Sequence, residues 1–447
     1  MQIDNLNDIF STSFSTAGNT ANNQGDKYLY GITKSINGCN DTCYHLSKSR
    51  DKSTMATRRI TFFFLATILY YLFNHGETVS FAVASKPNIL VSSTNEVLLQ
   101  YQGVRGAYWP SFTGYPASSI DTSYFSHIYY AFVRPSPTTY ALNVTDSDVE
   151  KLLEFAKSSK RWNPPAKTLL AIGGGGGRKL SDIFSQMASQ KYSRTSFIKS
   201  TIKVARDYNF DGIDLDWESP SSKLDMSNLG MLFNEWRQAL ENEAKVTRNP
   251  RLILTSAVYY ASRMPYDGEP RSYPIQEIRQ YVDWISPMCY DYHGEWEKFT
   301  GLHSALYDPN SNLNTDFGIR SWIKAGVPPK QIVMGLPLYG PTWSLKDPKV
   351  NTVGAPTTGT GPGNGILVYS KVVDFNRKNN ATIVFDNRRI SFYSYAGDSW
   401  ISYDDVRSIK SKVQYARDQL LGGYFFWALG QDLDWAISSK ASQAWLT

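Results

Sequence analysis

Within Phe210-Asp211-Gly-Ile-Asp214-Leu-Asp216-Trp217-Glu218, acidic and large apolar side chains alternate. On an extended strand alternate side chains share a face. Asp214, Asp216 and Glu218 therefore point one way, and Ile213, Leu215 and Trp217 the other. An exposed edge strand with a solvated acidic face would leave Ile, Leu and Trp without a cover. A calcium loop would need turn residues that this apolar segment lacks. If the apolar set packs on helices, three carboxyls point into an interior. Like charges buried together are costly unless protons are shared among them. Clustered carboxyls push one another's proton affinities apart, so one stays protonated while a neighbour ionises. Glu218, nearest the open end, is then the natural acid for a leaving oxygen. Asp216 can stabilise developing positive charge, and Asp214, deeper, can hold a shared proton. Asp211 is out of phase and reads as structural.

The elements that position this strand follow from short apolar runs at intervals. Strand-length runs occur at Val104–Trp109, Ile128–Val133, Thr168–Gly173, Phe210–Trp217, Leu252–Tyr260, Trp284–Tyr290, Ile332–Tyr339 and Gly423–Leu429. Helical periodicity falls between several of them. Val149, Leu152, Leu153 and Phe155 mark one helix, and Leu232, Trp236 and Leu240, four apart, mark another. Eight strands alternating with helices predict a (β/α)8 barrel. The seventh and eighth runs are too far apart for a single crossover helix. Residues 341–421 hold strand-like pieces of their own, so a small α+β domain is expected between strands seven and eight. An insertion after a barrel strand lies on the face where active sites lie.

The chain of 447 residues is 42% hydrophobic and 19% charged, which excludes a disordered polymer. The net charge of +6 is spread without long basic runs, so no nucleic-acid footprint is expected. Residues 1–54 are polar and aperiodic, an upstream extension expected to be absent from the mature protein. Met55, Arg58 and Arg59 precede the apolar run Ile60 to Phe73, and Ala82-Val83-Ala84 follows. These are the parts of a secretory signal over residues 55–84, with cleavage expected after Ala84. The run is shorter than the ~20 residues of a membrane span; a signal anchor is the alternative. A secreted, extracellular protein is expected, with the vacuole as another destination, and with no membrane span in its mature form. Cys39 and Cys43 lie upstream, which leaves Cys289 as a single thiol, read as core packing. The sequons Asn143-Val-Thr145 and Asn380-Ala-Thr382 agree with a secretory route. His127, His293 and His303 show no metal-ligand spacing, and no metal or cofactor is expected. The glycine run Gly173–Gly177 lacks the Gly-Lys-Ser/Thr ending of a phosphate loop and reads as a connection after the third strand.

The Asp211 to Glu218 segment resembles the Asp-x-x-Asp-x-Asp-x-Glu signature of family 18 glycoside hydrolases, in the style of plant class V chitinases. The likeness extends over residues 101–447. Ala171-Ile-Gly173-Gly174, Pro287-Met288-Cys289-Tyr290-Asp291-Tyr292 and Gly422-Gly-Tyr-Phe-Phe-Trp427 resemble segments of the family's third, sixth and eighth strands. The resemblance implies a retaining chitinase in which the N-acetyl group of the substrate is the nucleophile, an exception to the two-carboxylate scheme. It implies that Glu218 protonates the glycosidic oxygen and later activates water, that Asp216 orients the acetamido group, and that Asp214 pairs with Asp216. It implies that Tyr290 donates to the acetamido oxygen, with Met288 and Asp291 lining the same subsite and Tyr339 also on the substrate. Trp427 would floor the subsite, and Tyr108 and Phe132 would wall it; plain barrel packing is the duller role for these three.

Chitin or chitooligosaccharides are the implied partners, and a monomer is expected. Where many relatives carry Arg after the Tyr-Gly that closes the seventh run, this chain has Pro341. A lost guanidinium there would weaken contacts to substrate oxygens. Two other readings stay open: a hydrolase of lipo-chitooligosaccharide signals, differing in groove loops, and a chitin-binding lectin-like protein of low turnover. Trp343 and Trp400 are either stacking residues or core of the insertion.

Overall fold

The computed structural model describes residues 103–264 and 270–447. The expected upstream extension and signal segment lie outside the described residues.

Each of the eight apolar runs forms a strand. Seven come before the insertion: β1 (Val104–Pro110), β2 (His127–Pro135), β3 (Lys167–Gly173), β4 (Gly212–Asp216), β5 (Ile253–Tyr259), β6 (Trp284–Met288) and β7 (Val333–Pro337). The insertion contributes β8 (Tyr339–Leu345), β9 (Thr357–Thr360), β10 (Ile366–Val368), β11 (Thr382–Asp386), β12 (Ser391–Ala396) and β13 (Ser399–Tyr403), and the eighth barrel strand is β14 (Gly423–Trp427). The barrel order is β7-β14-β1-β2-β3-β4-β5-β6. Its pairings are parallel, and a bridge from Ile285 to Ile332 closes the ring. Parallel strands covered on both faces must be apolar on both. One face packs on helices, which include α1 (Asp146–Ser159), α2 (Gly177–Ser189), α3 (Lys191–Asp207) and α4 (Lys223–Thr247). Ile213, Leu215 and Trp217 join this outer core, together with Leu232, Trp236 and Leu240 of α4. The other face fills the barrel with Tyr108, Tyr129, Leu169, Ala171, Tyr290, Val333 and Phe425.

Between β7 and β14 lies the antiparallel sheet β9-β8-β13-β12-β11, with β10 paired to β8. The helix α5 (Tyr369–Lys378) belongs to the same stretch. Trp343 and Trp400 are fully buried in its core, edge to face at 5.3 Å. Their indole N–H groups donate to the carbonyls of Gly294 and Asn351. They are core residues and not sugar platforms. The seventh run was expected to extend to Tyr339; instead β7 ends at Pro337, and Tyr339 opens the insertion sheet. Pro341 sits in β8 opposite Ile366 of β10. Among the described residues no helix is long and apolar enough to cross a membrane.

After β13 the chain re-enters the barrel through α6 (Val406–Asp418). A buried ion pair fastens it. Lys412 Nζ lies 2.7 and 2.5 Å from the Asp404 oxygens, with side-chain exposures of 1% and 0%. Lys412 also donates to the Ser304 carbonyl, and Ser304 Oγ donates to Asp404 at 2.8 Å. Removing one partner of such a pair strands a charge in the interior. Lys412→Met is expected to lose about 3–5 kcal/mol of unfolding free energy in urea titration. Lys412→Met with Asp404→Leu should recover most of it; a double variant no more stable than the single one would refute the account.

Candidate active site

The acidic strand lies where the alternation placed it. Asp214 is fully buried and Asp216 nearly so, while Glu218, two residues past the end of β4, is partly exposed at the mouth. The expected strand ran through Trp217; its hydrogen-bonded ladder stops at Asp216. The turn beyond Glu218 is pinned from several sides. Ser181 Oγ donates to the Ser219 carbonyl at 2.6 Å and accepts from Trp217 Nε1 at 3.1 Å. Arg271, 1% exposed, donates through Nε to the Pro220 carbonyl at 2.5 Å. Ser222 and Asp225 cap α4 reciprocally, which starts the helix at once. Beneath Asp216, Gly173 (φ +117°) leaves room that no Cβ could share, since one would come 2.1 Å from the Asp216 carbonyl. The glycine run then turns directly into α2, and Gly174 N–H donates to the Asp216 carbonyl at 2.9 Å.

Hydrogen bonds divide the three carboxyls. Asp214 Oδ2 accepts from Tyr108 Oη at 2.7 Å, and Oδ1 accepts from Thr255 Oγ1 at 2.5 Å. Burial raises this carboxyl to about 6, and the two donors pull against that rise. Asp216 stands well above the carboxylate range, first through burial and then through the charges of Glu218 and Asp214. Its Oδ1 has no hydrogen-bond partner among the described residues. Glu218 is pushed up to about 7 by burial and next by the charge of Asp291, while a hydrogen bond from Asp216 and the Arg134 guanidinium hold it down. The shared proton was expected on Asp214 in a pair with Asp216; instead both Asp214 oxygens are taken by Tyr108 and Thr255, and Asp216 hydrogen-bonds with Glu218. Asp211 accepts from the Thr168 backbone N–H at 2.8 Å, a strand-to-strand brace away from this face.

The aromatic residues form one wall. Tyr108 stacks on Tyr129 at 4.5 Å and meets Trp427 edge to face at 5.5 Å. Phe132 stacks on Trp427 at 5.6 Å. Tyr290, buried, packs on Tyr339 and Phe425 and lies within the fields of Asp216, Asp291 and Glu218. Met288 is partly buried against the same cluster. Asp291, in the left-handed region at φ +56°, accepts from Tyr339 Oη at 2.5 Å. Residues from six barrel strands or their ends, and from β8, therefore meet around one mouth. Cys289 is buried, and burial pushes its thiol up to about 12, which fits packing and not nucleophilic chemistry. Among the described residues no group of three or more His, Cys, Asp or Glu side chains is arranged to hold a metal ion.

Sequence reasoning missed four contributors. Thr255 lies in register with Asp214 on β5; its signal was a polar pair, Thr255-Ser256, inside an apolar run. Arg134, next to last in β2, donates to the Gly175 carbonyl at 2.6 Å, steadying the glycine run. Tyr129 and Phe425 are strand aromatics that only the register distinguishes from ordinary core.

The model of glycosyl hydrolases family 18 matches residues 105–432. A class V chitinase of Medicago truncatula, CHIT5a, is 51% identical over 373 residues, 82% of this chain and 95% of that protein. Nod factor hydrolase protein 1 of the same plant is 45% identical over 348 residues, 76% of this chain and 90% of that protein. A mutant class V chitinase from Nicotiana tobaccum, solved in complex with NAG4, superposes with a TM-score of 0.74 at 36% identity, covering 77% of this chain and 99% of that one.

The shared protons have a consequence for stability. Asp214, Asp216 and Glu218 all bind protons more tightly folded than unfolded. Their contribution is complete below the unfolded value near 4 and is lost as pH rises through 6 to 7 and beyond. Asp216→Asn removes a charge that the folded state resists. Its melting temperature is expected to exceed that of the parent by about 2–4 °C at pH 8, with the gap closing toward pH 4. Calorimetry across that range decides it; a gap independent of pH would contradict the assignment.

Proposed function

We propose that this chain, which belongs to glycosyl hydrolases family 18, is a retaining chitinase that cleaves β-1,4-N-acetylglucosamine linkages by substrate-assisted catalysis. It is a glycoside hydrolase acting on O-glycosyl bonds, on a (β/α)8 barrel with its insertion between strands seven and eight. The observation that carries the finer reading is the division of labour along β4. Asp214 is saturated by Tyr108 and Thr255, which leaves Asp216 to exchange a proton with Glu218.

Glu218, raised to about 7, keeps a proton near neutral pH for the glycosidic oxygen and takes one back from water in the second step. Asp216 presents its unpartnered oxygen to the acetamido N–H, turning the N-acetyl carbonyl oxygen onto the anomeric carbon. As positive charge develops on the cyclic oxazolinium ion, Asp216 is the anion beside it. Tyr290 donates to the acetamido oxygen, and Trp427 floors the distorted sugar, with Phe132 and Tyr108 walling the pocket. Chitooligosaccharide is the substrate this arrangement fits, as the NAG4 complex of the tobacco relative illustrates for that protein. The similarity to Nod factor hydrolase protein 1 favours lipo-chitooligosaccharide as a second substrate class, to be separated by turnover on acylated and plain oligomers.

Glu218→Gln is expected to lose about 10²–10⁴-fold in kcat while retaining oligomer binding. Fully deacetylated oligomers should resist cleavage, and early products should carry the β-anomeric configuration in NMR spectra. An initial α-anomer, or efficient cutting of glucosamine chains, would remove Asp216 and Tyr290 from these roles.

We also propose secretion. The basic start, short apolar core and small-residue site over residues 55–84 support it. Protein recovered from the medium of a plant host should begin at or near Ser85; peptides from residues 1–54 in that material would overturn the leader assignment.

A further inference from the structure

His303 is fully buried, and neither ring nitrogen has a hydrogen-bond partner among the described residues. A buried imidazole without partners is unfavourable, and such exceptions call for a reason. The backbone holds the ring where it is. His303 N–H donates to Ser402 Oγ of β13 at 3.0 Å, and its carbonyl accepts from Tyr292 N–H at 3.0 Å. The next residue, Ser304, is clamped by the buried Lys412–Asp404 pair. The ring meets Tyr339 edge to face at 5.2 Å. Its Nδ1 lies 3.7 Å from Asp291 Oδ1, the oxygen that accepts from Tyr339 Oη.

We propose that His303 is a positioning residue: anchored by the insertion, its ring acts with Tyr339 to hold the Asp291 carboxylate toward Glu218. The inference rests on the reading of Glu218 as acid/base. Asp291 is the largest charge influence raising the proton affinity of Glu218, so the pose of Asp291 sets how readily the acid keeps its proton. At 3.7 Å the His303 contact is electrostatic and not a hydrogen bond; the ring is fully buried, while the Asp291 side chain is partly exposed. The other groups facing Glu218 are Asp216, Arg134, Tyr290, Tyr339 and Tyr273. Those facing His303 are Asp291 and Tyr339, with Tyr292 and the Lys412–Asp404 pair joined through its backbone and Ser304. Among the described residues, Asp291 and Tyr339 are the groups around Glu218 that also face His303. The insertion thereby reaches the surroundings of the acid through two contacts, Tyr339 and the His303 that it anchors.

The test is the pH profile of kcat/KM on chitooligosaccharides, whose basic limb reports the acid of the free enzyme. Asp291→Asn removes the repulsion, so the limb should move to lower pH. His303→Leu frees Asp291 to turn away, so its limb should move the same way by about 0.5 unit, roughly threefold in proton affinity. Its kcat should fall while KM holds. His303→Gln keeps an N–H donor and should stay within about 0.2 unit of the parent. If Asp291→Asn shifts the limb and His303→Leu does not, the proposal is overturned while the acid assignment stands. If Glu218→Gln stays active and Asp291→Asn leaves the limb in place, both fall. Should His303→Leu not fold, nitrogen NMR of histidine-labelled parent and Asp291→Asn protein decides. The His303 Nδ1 resonance should move between them, and an unmoved signal overturns the proposal.

Discussion

Three carboxyls on one face of a buried strand cannot all be ionised, and the rest of the molecule is arranged around that constraint. A dry interior charges heavily for each unpaired anion. The strand answers in sequence. Asp214, deepest, receives two hydroxyl donors. Asp216 is left with one oxygen bare and a proton to trade. Glu218, at the mouth, sits in the field of Asp291. The gradient from saturated to exchangeable runs outward along β4, so the group proposed to gain and lose a proton is the one at the open mouth.

Holding that gradient requires the whole ring of strands. Tyr108 comes from β1, Thr255 from β5, Tyr290 from just beyond β6 and Trp427 from β14. None is near another in sequence, and only closure of the parallel sheet brings them together. The glycines after β3 serve the same end, since the Asp216 backbone passes too close for any side chain at Gly173. Arg134 then ties the glycine run to β2. The rigid scaffold thus supplies positions, and the loops at the strand ends supply the chemistry.

Much of this was legible in the residues. Alternation fixed which side chains of the acidic strand face inward, because a period of two has only one phase that buries Ile213, Leu215 and Trp217. Run length and spacing located the eight strands and the gap that holds the insertion. What remained hidden was register and second contacts. Thr255 becomes a partner of Asp214 only because β4 and β5 pair in one register, and no local pattern encodes that offset. Tyr339 read as the end of a barrel strand, since an apolar run does not reveal that the chain bends at Pro337 into another sheet. Trp343 and Trp400 could have been platforms or core, and the choice depended on partners across the insertion. His303 carried no signal beyond the absence of ligand spacing.

The insertion follows a barrel strand and so lies on the face where active sites lie. Here its attachment has a second effect. The Lys412–Asp404 pair, buried and costly to form, fixes the Ser304 segment between α6 and the barrel. That segment carries His303, whose ring faces the Asp291 carboxylate shared with Tyr339, the first residue of the insertion sheet. An ion pair that must stay intact for the fold thereby also limits how far Asp291 can move. Since Coulomb repulsion depends on distance, a displacement of Asp291 changes the proton affinity of Glu218. With the roles proposed for Glu218 and His303, stability of the insertion and the working pH of the acid are coupled through one short stretch of chain.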